Sequence, residues 1–302
     1  MKKALFIINP HSGKGLIKNN LLGIVDILVK NGYEVTVYPT QGRGDASRAM
    51  RGRHESYEQV VCSGGDGTLD EIVTGMMQSG FKTTIGYIPA GSTNDFANSL
   101  KISSSMNTAA EAVVSGTVFS CDVGRFNEDV FVYIAAFGLF TEVSYGTRQE
   151  MKNMLGHMAY ILEGVKQNIK SYHMKVTNVS ETGETAVIED EFIYGMITNS
   201  YSVGGFKSIA GNVFKGNIAL DDGLFEVTLI KMPKNPMELN SILAALAIQN
   251  IDTEYMYSFK SGRLIIESKE EVAWTLDGEF GGKHREVTLV NEKQAMDIMV
   301  KE

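Results

Sequence analysis

The sequence predicts an α/β fold in two parts: an N-terminal α/β domain with a parallel sheet, then a C-terminal, mainly antiparallel β-sandwich domain. As far as Gly116, apolar runs of strand length alternate with stretches of helical periodicity, as repeated βα units do. Beyond Asp122, strand-like segments dominate, and several alternate apolar with polar residues in the manner of half-buried antiparallel strands. The length, 302 residues with 43% hydrophobic content, supplies material for more than one core. No low-complexity linker marks a boundary. The domains are drawn as 1–118 and 119–302, with a tail over about 292–302 able to pack back onto the first.

Leu5–Ile8 is a continuous apolar run, read as a buried first strand. Over Leu16–Lys30, the residues Ile17, Leu21, Ile24, Val25 and Leu28 fall on one helical face. Val35–Val37 is strand-like, and Gly44-Asp45 can cap a short helix over Ala46–Arg51. Val60–Ser63 is a strand leading into a glycine tract, with a helix expected over Thr68–Met77. Thr84–Ile88 is a strand ended by Pro89, and Thr108–Val114 a further helix. In the second part the expected strands are Val130–Ala136, Phe192–Asn199, Leu224–Ile230, Tyr255–Phe259, Arg263–Glu267, Val272–Leu276 and Glu286–Val290. Helices around Gln149–Ile169 and Pro236–Gln249 interrupt them.

Composition excludes several classes. A net charge of −8 argues against general nucleic-acid binding and against constitutive polybasic attachment to an anionic membrane. The two cysteines, Cys62 and Cys121, make neither a disulfide scaffold nor a zinc site, and read as thiols of a reducing compartment. Ala4–Ile8 is too short for the core of a signal peptide, and no run approaches the ~18 apolar residues of a membrane span. The expected location is the cytoplasm.

The tract Gly64-Gly65-Asp66-Gly67-Thr68-Leu69-Asp70-Glu71 is the most informative in the chain. Glycines let a backbone approach a bulky anion, and the N-terminus of the following helix offers unpaired N–H groups and a positive dipole end. A carboxylate such as Asp66 beside phosphate is repulsive unless a cation bridges them, so the economical reading is a nucleotide-phosphate loop that uses Mg²⁺. A simple tight turn is the alternative. The loops Asn9–Gly15 and Pro89–Asp95, with Thr40, fall on the same C-terminal edge of the sheet, where ligands of such sheets bind. The first is not a P-loop, since Ile8 stands where that motif needs glycine. Its small residues, Ser12 among them, can face a nucleotide or merely turn the chain. Ser92, Thr93 and Asn94 are all good helix caps and can equally bind phosphate; Asp95 is a first-turn residue or an ordering hydrogen-bond acceptor. Asp277-Gly278-Glu279 reads as a turn or as the source of a general base. Ala219–Leu224, with Asp221 and Asp222 before Gly223, reads as a hairpin turn or a cation site using backbone carbonyls.

Taken together, NPHSGKG at 9–15, GGDGTLDE at 64–71, PAGSTNDFA at 89–97, LGHMAYILEGV at 155–165, LDDGLFEV at 220–227 and LDGE at 276–279 resemble the bacterial diacylglycerol kinase and lipid kinase family. Its catalytic domain also occurs in sphingosine kinases. The glycine loop alone is shared with NAD kinases and phosphofructokinases; the NDFA tract and the late DGE are more discriminating. The resemblance implies a nucleotide-binding domain followed by a β-sandwich lipid-substrate domain, with the active site in the interdomain cleft. It implies ATP- and Mg²⁺-dependent phosphorylation of a lipid hydroxyl, diacylglycerol to phosphatidic acid first among candidates. Carried over, Glu279 and Asp66 are the catalytic residues: Glu279 accepts the proton of the lipid hydroxyl and Asp66 works through Mg²⁺. The nucleotide is held by Asn9, Pro10, His11, Ser12, Gly13 and Thr40, by Gly64, Gly65, Asp66, Gly67, Thr68, Leu69, Asp70 and Glu71, and by Ser92, Asn94 and Asp95. A second, structural Mg²⁺ falls to Ala219, Asp222 and Leu224.

Two departures from the family pattern stand out. Asp70 replaces the usual asparagine and adds charge near phosphate; Ser92 stands at the usual threonine position, with Thr93 after it. Rival readings are a soluble NAD kinase and a non-catalytic nucleotide- or lipid-regulated protein. The Met-rich, partly basic segment Gln149–Ile169 can make transient peripheral contact with the inner face of a membrane, or simply pack on the core. Edge strands allow a homodimer without requiring one.

Overall fold

In the computed structural model, residues 1–53, 57–138, 170–180, 182–200, 202–203, 206–207, 219–247 and 253–301 are described. The expected helix Gln149–Ile169 and the segment 155–165 lie outside them. The chain divides into two compact units, Met1–Val123 with Gln294–Glu302, and Gly124–Lys293.

In the first unit, β1 (Lys2–Ile8), α1 (Ile17–Lys30), β2 (Tyr33–Pro39), α2 (Asp45–Arg53), β3 (Gln59–Gly64), α3 (Asp66–Ser79), β4 (Thr84–Pro89), α4 (Asp95–Ser99) and α5 (Met106–Ser115) follow in order. Strands pair in parallel as β2-β1-β3-β4, and the C-terminal strand adds Asp297 and Ile298 in parallel beside Thr84 and Ile85. A sheet covered on both faces needs apolar residues at successive positions, and Leu5–Ile8 and Val60–Cys62 supply them. Ala4, Phe6 and Ile8 join Val61, Ile24, Leu28 and Val113 in a core beneath α1 and α5. Strand alternation sends Leu5, Ile7, Val60 and Cys62 to the other face. There α2 and α3 approach closely because Gly75 has no side chain: a Cβ would lie 2.6 Å from the Ser47 carbonyl oxygen. The order reverses direction between β1 and β3, which opens a crevice at their carboxyl ends.

The chain leaves the first unit within β5 (Thr117–Phe126), a strand the sequence reading missed. The second unit contains β6 (Asp129–Phe131), β7 (Ile134–Gly138), β8 (Tyr172–Val179), β9 (Thr185–Thr198), the short hairpin β10 (Ser202–Val203) and β11 (Phe206–Lys207), β12 (Phe225–Lys231), α6 (Pro236–Ala247), β13 (Met256–Ser261) and β14 (Arg263–Leu276). The last strand, β15 (Glu279–Val300), begins here and carries the chain back. All the pairings given for these strands with one another are antiparallel.

Two long strands each serve two neighbours. The first half of β9 pairs with β8 and its second half with β7 and β12. β14 pairs with β8 over Arg263–Ser268 and with β7 over Trp274–Leu276. The circuit β8-β9-β7-β14 therefore closes on itself, turning its corner through the irregularity between Glu267 and Val272. Trp274 fills its centre, with ring centroids 5.1 Å from Phe126 and 4.9 Å from Phe137.

Three expectations need correction. Arg263–Glu267 and Val272–Leu276 are one strand, because the interruption is a bulge and not a turn. Glu286–Val290 is the middle of a much longer strand. Val130–Ala136 is two strands, β6 and β7, because the N–H groups of Val132, Tyr133 and Ile134 turn to a side chain, that of Asp277.

Candidate active site

Three loops meet at the carboxyl edge of the first unit's sheet. The N–H of Asn9 donates to the Ser63 carbonyl at 2.8 Å, that of Ala90 to Gly64 at 2.7 Å, and that of Thr40 to Ile8 at 2.8 Å. Glycines allow the contact. Gly13 has φ +52°, and a Cβ on it would lie 1.8 Å from the Ala90 carbonyl oxygen; one on Gly91 would lie 2.7 Å from the Gly65 Cα. Neither place admits a side chain, so the loops pack backbone to backbone. A Cβ on Gly67, in contrast, would meet nothing within 4 Å. That residue lies in the first turn of α3, whose N-cap, Gly65, provides no side-chain cap. The N-terminus of this 14-residue helix thus has no side-chain cap and has room beside Gly67, with Asp66 in its first turn, an arrangement suited to an anion that brings a cation with it.

Asp66 is not a loop residue, as expected from sequence, but the first residue of α3. Its carboxylate accepts from the N–H groups of Asp95 at 3.0 Å and Phe96 at 3.4 Å, with the Thr93 hydroxyl at 3.5 Å. It thereby ties the glycine loop to the start of α4. Burial, and then the charge of Asp95, push its carboxyl up to about 6 despite those bonds. Asp95 itself is 1% exposed.

The other expected residues divide into two groups. Asn9 donates to the Thr68 hydroxyl at 3.3 Å and accepts from the His11 N–H at 3.0 Å, bridging two loops. Pro10, Ser12, Gly13 and Thr40 lie along the same edge, with His11 and Ser92 exposed. Asn94, at φ +52°, accepts from the Gly91 N–H at 2.8 Å and donates to its carbonyl at 3.0 Å, closing the third loop on itself. Leu69 and Glu71 face elsewhere. Helical periodicity buries Leu69 completely, and the Glu71 carboxylate receives the N–H groups of Gly44 at 2.7 Å and Ala46 at 3.0 Å. Glu71 thus caps α2, a task that a carboxylate in an acidic tract does not advertise. Asp70 is partly buried on α3.

In the second unit, Leu276 pairs with Glu279 across a two-residue turn, Asp277-Gly278, with φ +49° and +82°. Two positive φ values make a type I′ hairpin, which Asp-Gly favours. Glu279 emerges exposed at the head of β15. Asp277 is buried, and its carboxylate accepts three consecutive N–H groups, from Val132 at 2.6 Å, Tyr133 at 3.0 Å and Ile134 at 2.9 Å. The turn bearing Glu279 is therefore anchored to the β6–β7 break. Asp222 accepts from the Leu224 N–H at 2.9 Å and pairs with the Lys260 ammonium at 2.9 Å. Among the described residues, no three His, Cys, Asp or Glu side chains gather as a metal cluster. A cavity of about 470 Å³ between Tyr57, Phe81 and Asp297 lies at the amino ends of β3 and β4, on the sheet edge away from the glycine loops.

Residues 3–126 match the diacylglycerol kinase catalytic domain family. The chain is 31% identical over 93% of its length to a diacylglycerol kinase of Bacillus subtilis (strain 168), covering 91% of that protein. It is 32% identical over 93% of its length to a diacylglycerol kinase of Staphylococcus aureus (strain JH9), covering 87% of it. Two solved structures from Bacillus anthracis str. Sterne, the second described as a diacylglycerol kinase, share the fold, with TM-scores of 0.83 and 0.76. Each is 22% identical and aligns over 99% of this chain and 97% of its own.

Proposed function

The chain belongs to the diacylglycerol kinase family and is a lipid kinase, and from that premise we propose that it transfers the γ-phosphate of ATP to the hydroxyl of diacylglycerol, giving phosphatidic acid, with Mg²⁺. The observation that carries the reading is the uncapped N-terminus of α3 among loops held together by glycine contacts, a ready seat for nucleotide phosphates. Backbone N–H groups near Gly67, with Asn9 and Ser12 alongside, bind and orient the phosphates. Asn94 acts at one remove, by holding its loop in shape.

Asp66 fits a role beside a cation. Burial and the Asp95 charge hold its carboxyl up to about 6 despite the N–H groups of Asp95 and Phe96, so a nearby cation would favour its ionised form. Magnesium, when bound with the nucleotide, supplies positive charge against the phosphate oxygens. Glu279, exposed on a rigidly anchored turn, takes the proton of the lipid hydroxyl as its oxygen bonds to the γ-phosphorus. The bond to the bridging oxygen breaks, and ADP leaves. Positioning and charge neutralisation supply most of the acceleration in this chemistry.

No helix among the described residues is long and apolar enough to cross a membrane. As part of the same proposal, the acceptor lies at a membrane surface that the protein visits on the cytoplasmic side. The test is label transfer from γ-labelled ATP, with Mg²⁺, into mixed micelles carrying a panel of lipid alcohols. Diacylglycerol should be labelled, and Glu279→Gln should lower kcat by about 10²–10⁴-fold, the usual worth of a general base. Full turnover in that variant would remove Glu279 from the chemistry; label entering a different lipid would change the acceptor.

A further inference from the structure

The family resemblance assigns a structural Mg²⁺ to Asp222 with the carbonyls of Ala219 and Leu224, and the side chains here do not fit one. Both oxygens of Asp222 are engaged. Oδ1 accepts from the Leu224 N–H at 2.9 Å, and Oδ2 lies 2.9 Å from the Lys260 ammonium. That ammonium is held from a second side. It lies 3.3 Å from Oε1 of Glu226, which is 0% exposed. Register explains the placement: Glu226 on β12 stands directly opposite Lys260 on β13, while Asp222 sits in the turn preceding β12. Mg²⁺ binds carboxylate oxygen at about 2.0–2.1 Å, which would set a dication against an ammonium already seated on the same carboxylate. The two cations repel, and Lys260 cannot withdraw without leaving the buried Glu226 carboxylate unpaired.

We propose that Lys260 is the built-in cation of this turn: its ammonium, bridging Asp222 and Glu226, does the work of the divalent ion, and the Ala219–Leu224 turn is held without metal. The inference concerns the second unit's stability and is independent of which lipid is phosphorylated.

Nucleotide-free protein would be melted in EDTA, in millimolar Mg²⁺, and in NaCl of equal ionic strength. The wild-type transition should be the same in all three. Lys260→Met should melt about 2–10 °C lower in EDTA, because the buried Glu226 carboxyl, which burial already pushes up to about 7, loses its partner and takes up a proton in its place. Mg²⁺, and not NaCl, should restore part of that loss, and Asp222→Asn added to Lys260→Met should abolish the restoration. If Lys260→Met does not fold, Lys260→Met with Glu226→Gln removes the unpaired charge and should show the same gain of Mg²⁺ response. A wild-type transition raised by Mg²⁺ and no longer raised in Asp222→Asn would overturn the proposal, since metal would then hold the turn. So would a Lys260→Met protein, or its Glu226→Gln partner variant, indifferent to Mg²⁺.

Discussion

Removing the Asp277 carboxylate should destabilise the second unit out of proportion to the two-residue turn in which it sits. Three buried N–H groups, those of Val132, Tyr133 and Ile134, would lose their acceptor. Bonds to a charged group are worth about 1.5–3 kcal/mol each, and an abandoned buried donor costs about 1–3 kcal/mol. The three share one carboxylate and are not additive, so about 3–5 kcal/mol is expected in total. The choice of replacement matters because Asp277 has φ +49°. Glycine accepts that conformation freely, so Asp277→Gly preserves the turn and removes only the carboxylate. Asparagine also tolerates it and keeps one acceptor oxygen, so Asp277→Asn should lose about half as much.

For a unit spanning Gly124–Lys293, each kcal/mol corresponds to about 2–4 °C, which puts the Asp277→Gly transition about 6–20 °C below wild type in calorimetry. On the proposed roles, with Glu279 as the base two residues along the same anchored turn and ATP held by the loops of the first unit, kcat should fall while KM for ATP stays constant. An Asp277→Gly protein melting within about 2 °C of wild type would show that the three N–H groups find other partners and that the clamp reasoning is wrong.

Asp66 should write a slope into the pH dependence of stability. Its carboxyl is raised to about 6 in the folded protein, so the folded chain binds the proton more tightly than the unfolded chain. Stability from this group is greatest below the unfolded value and falls as pH rises through about 6, by an amount on the order of 2–3 kcal/mol. Denaturant titrations from pH 4 to 7 should show that decline in wild type and a flatter profile in Asp66→Asn. Gly13→Ala should weaken ATP binding at least about tenfold, since its Cβ would lie 1.8 Å from the Ala90 oxygen and the loop must move; calorimetric titration reads the loss. Glu71→Ala should cost about 1–2 kcal/mol by uncapping α2, measured by chemical denaturation, with KM for the lipid unchanged.

Much of the first unit was legible because its signals are local. Continuous apolar runs announced strands buried on both faces, glycine clusters announced the loops, and the βα alternation put those loops on one edge. For Glu279 the family resemblance of its LDGE tract supplied a proposed role, and the structure adds the anchored hairpin on which it stands. The tertiary structure decided where side chains spend their hydrogen bonds. Asp66, Asp70, Glu71 and Asp95 look alike as acidic residues in two short tracts, yet Asp66 spans to α4, Glu71 caps α2 and Asp95 is buried. Helical phase and long-range proximity separate them, and neither is written in the tract itself. The same holds for Asp277, whose N–H partners lie more than 140 residues away along the chain, and for Lys260, placed against Glu226 by strand register. Sequence determines which residues can form an element and which chemistry they carry. A carboxylate's role depends on which donors folding brings within about 3 Å of it, and those donors come from distant parts of the chain.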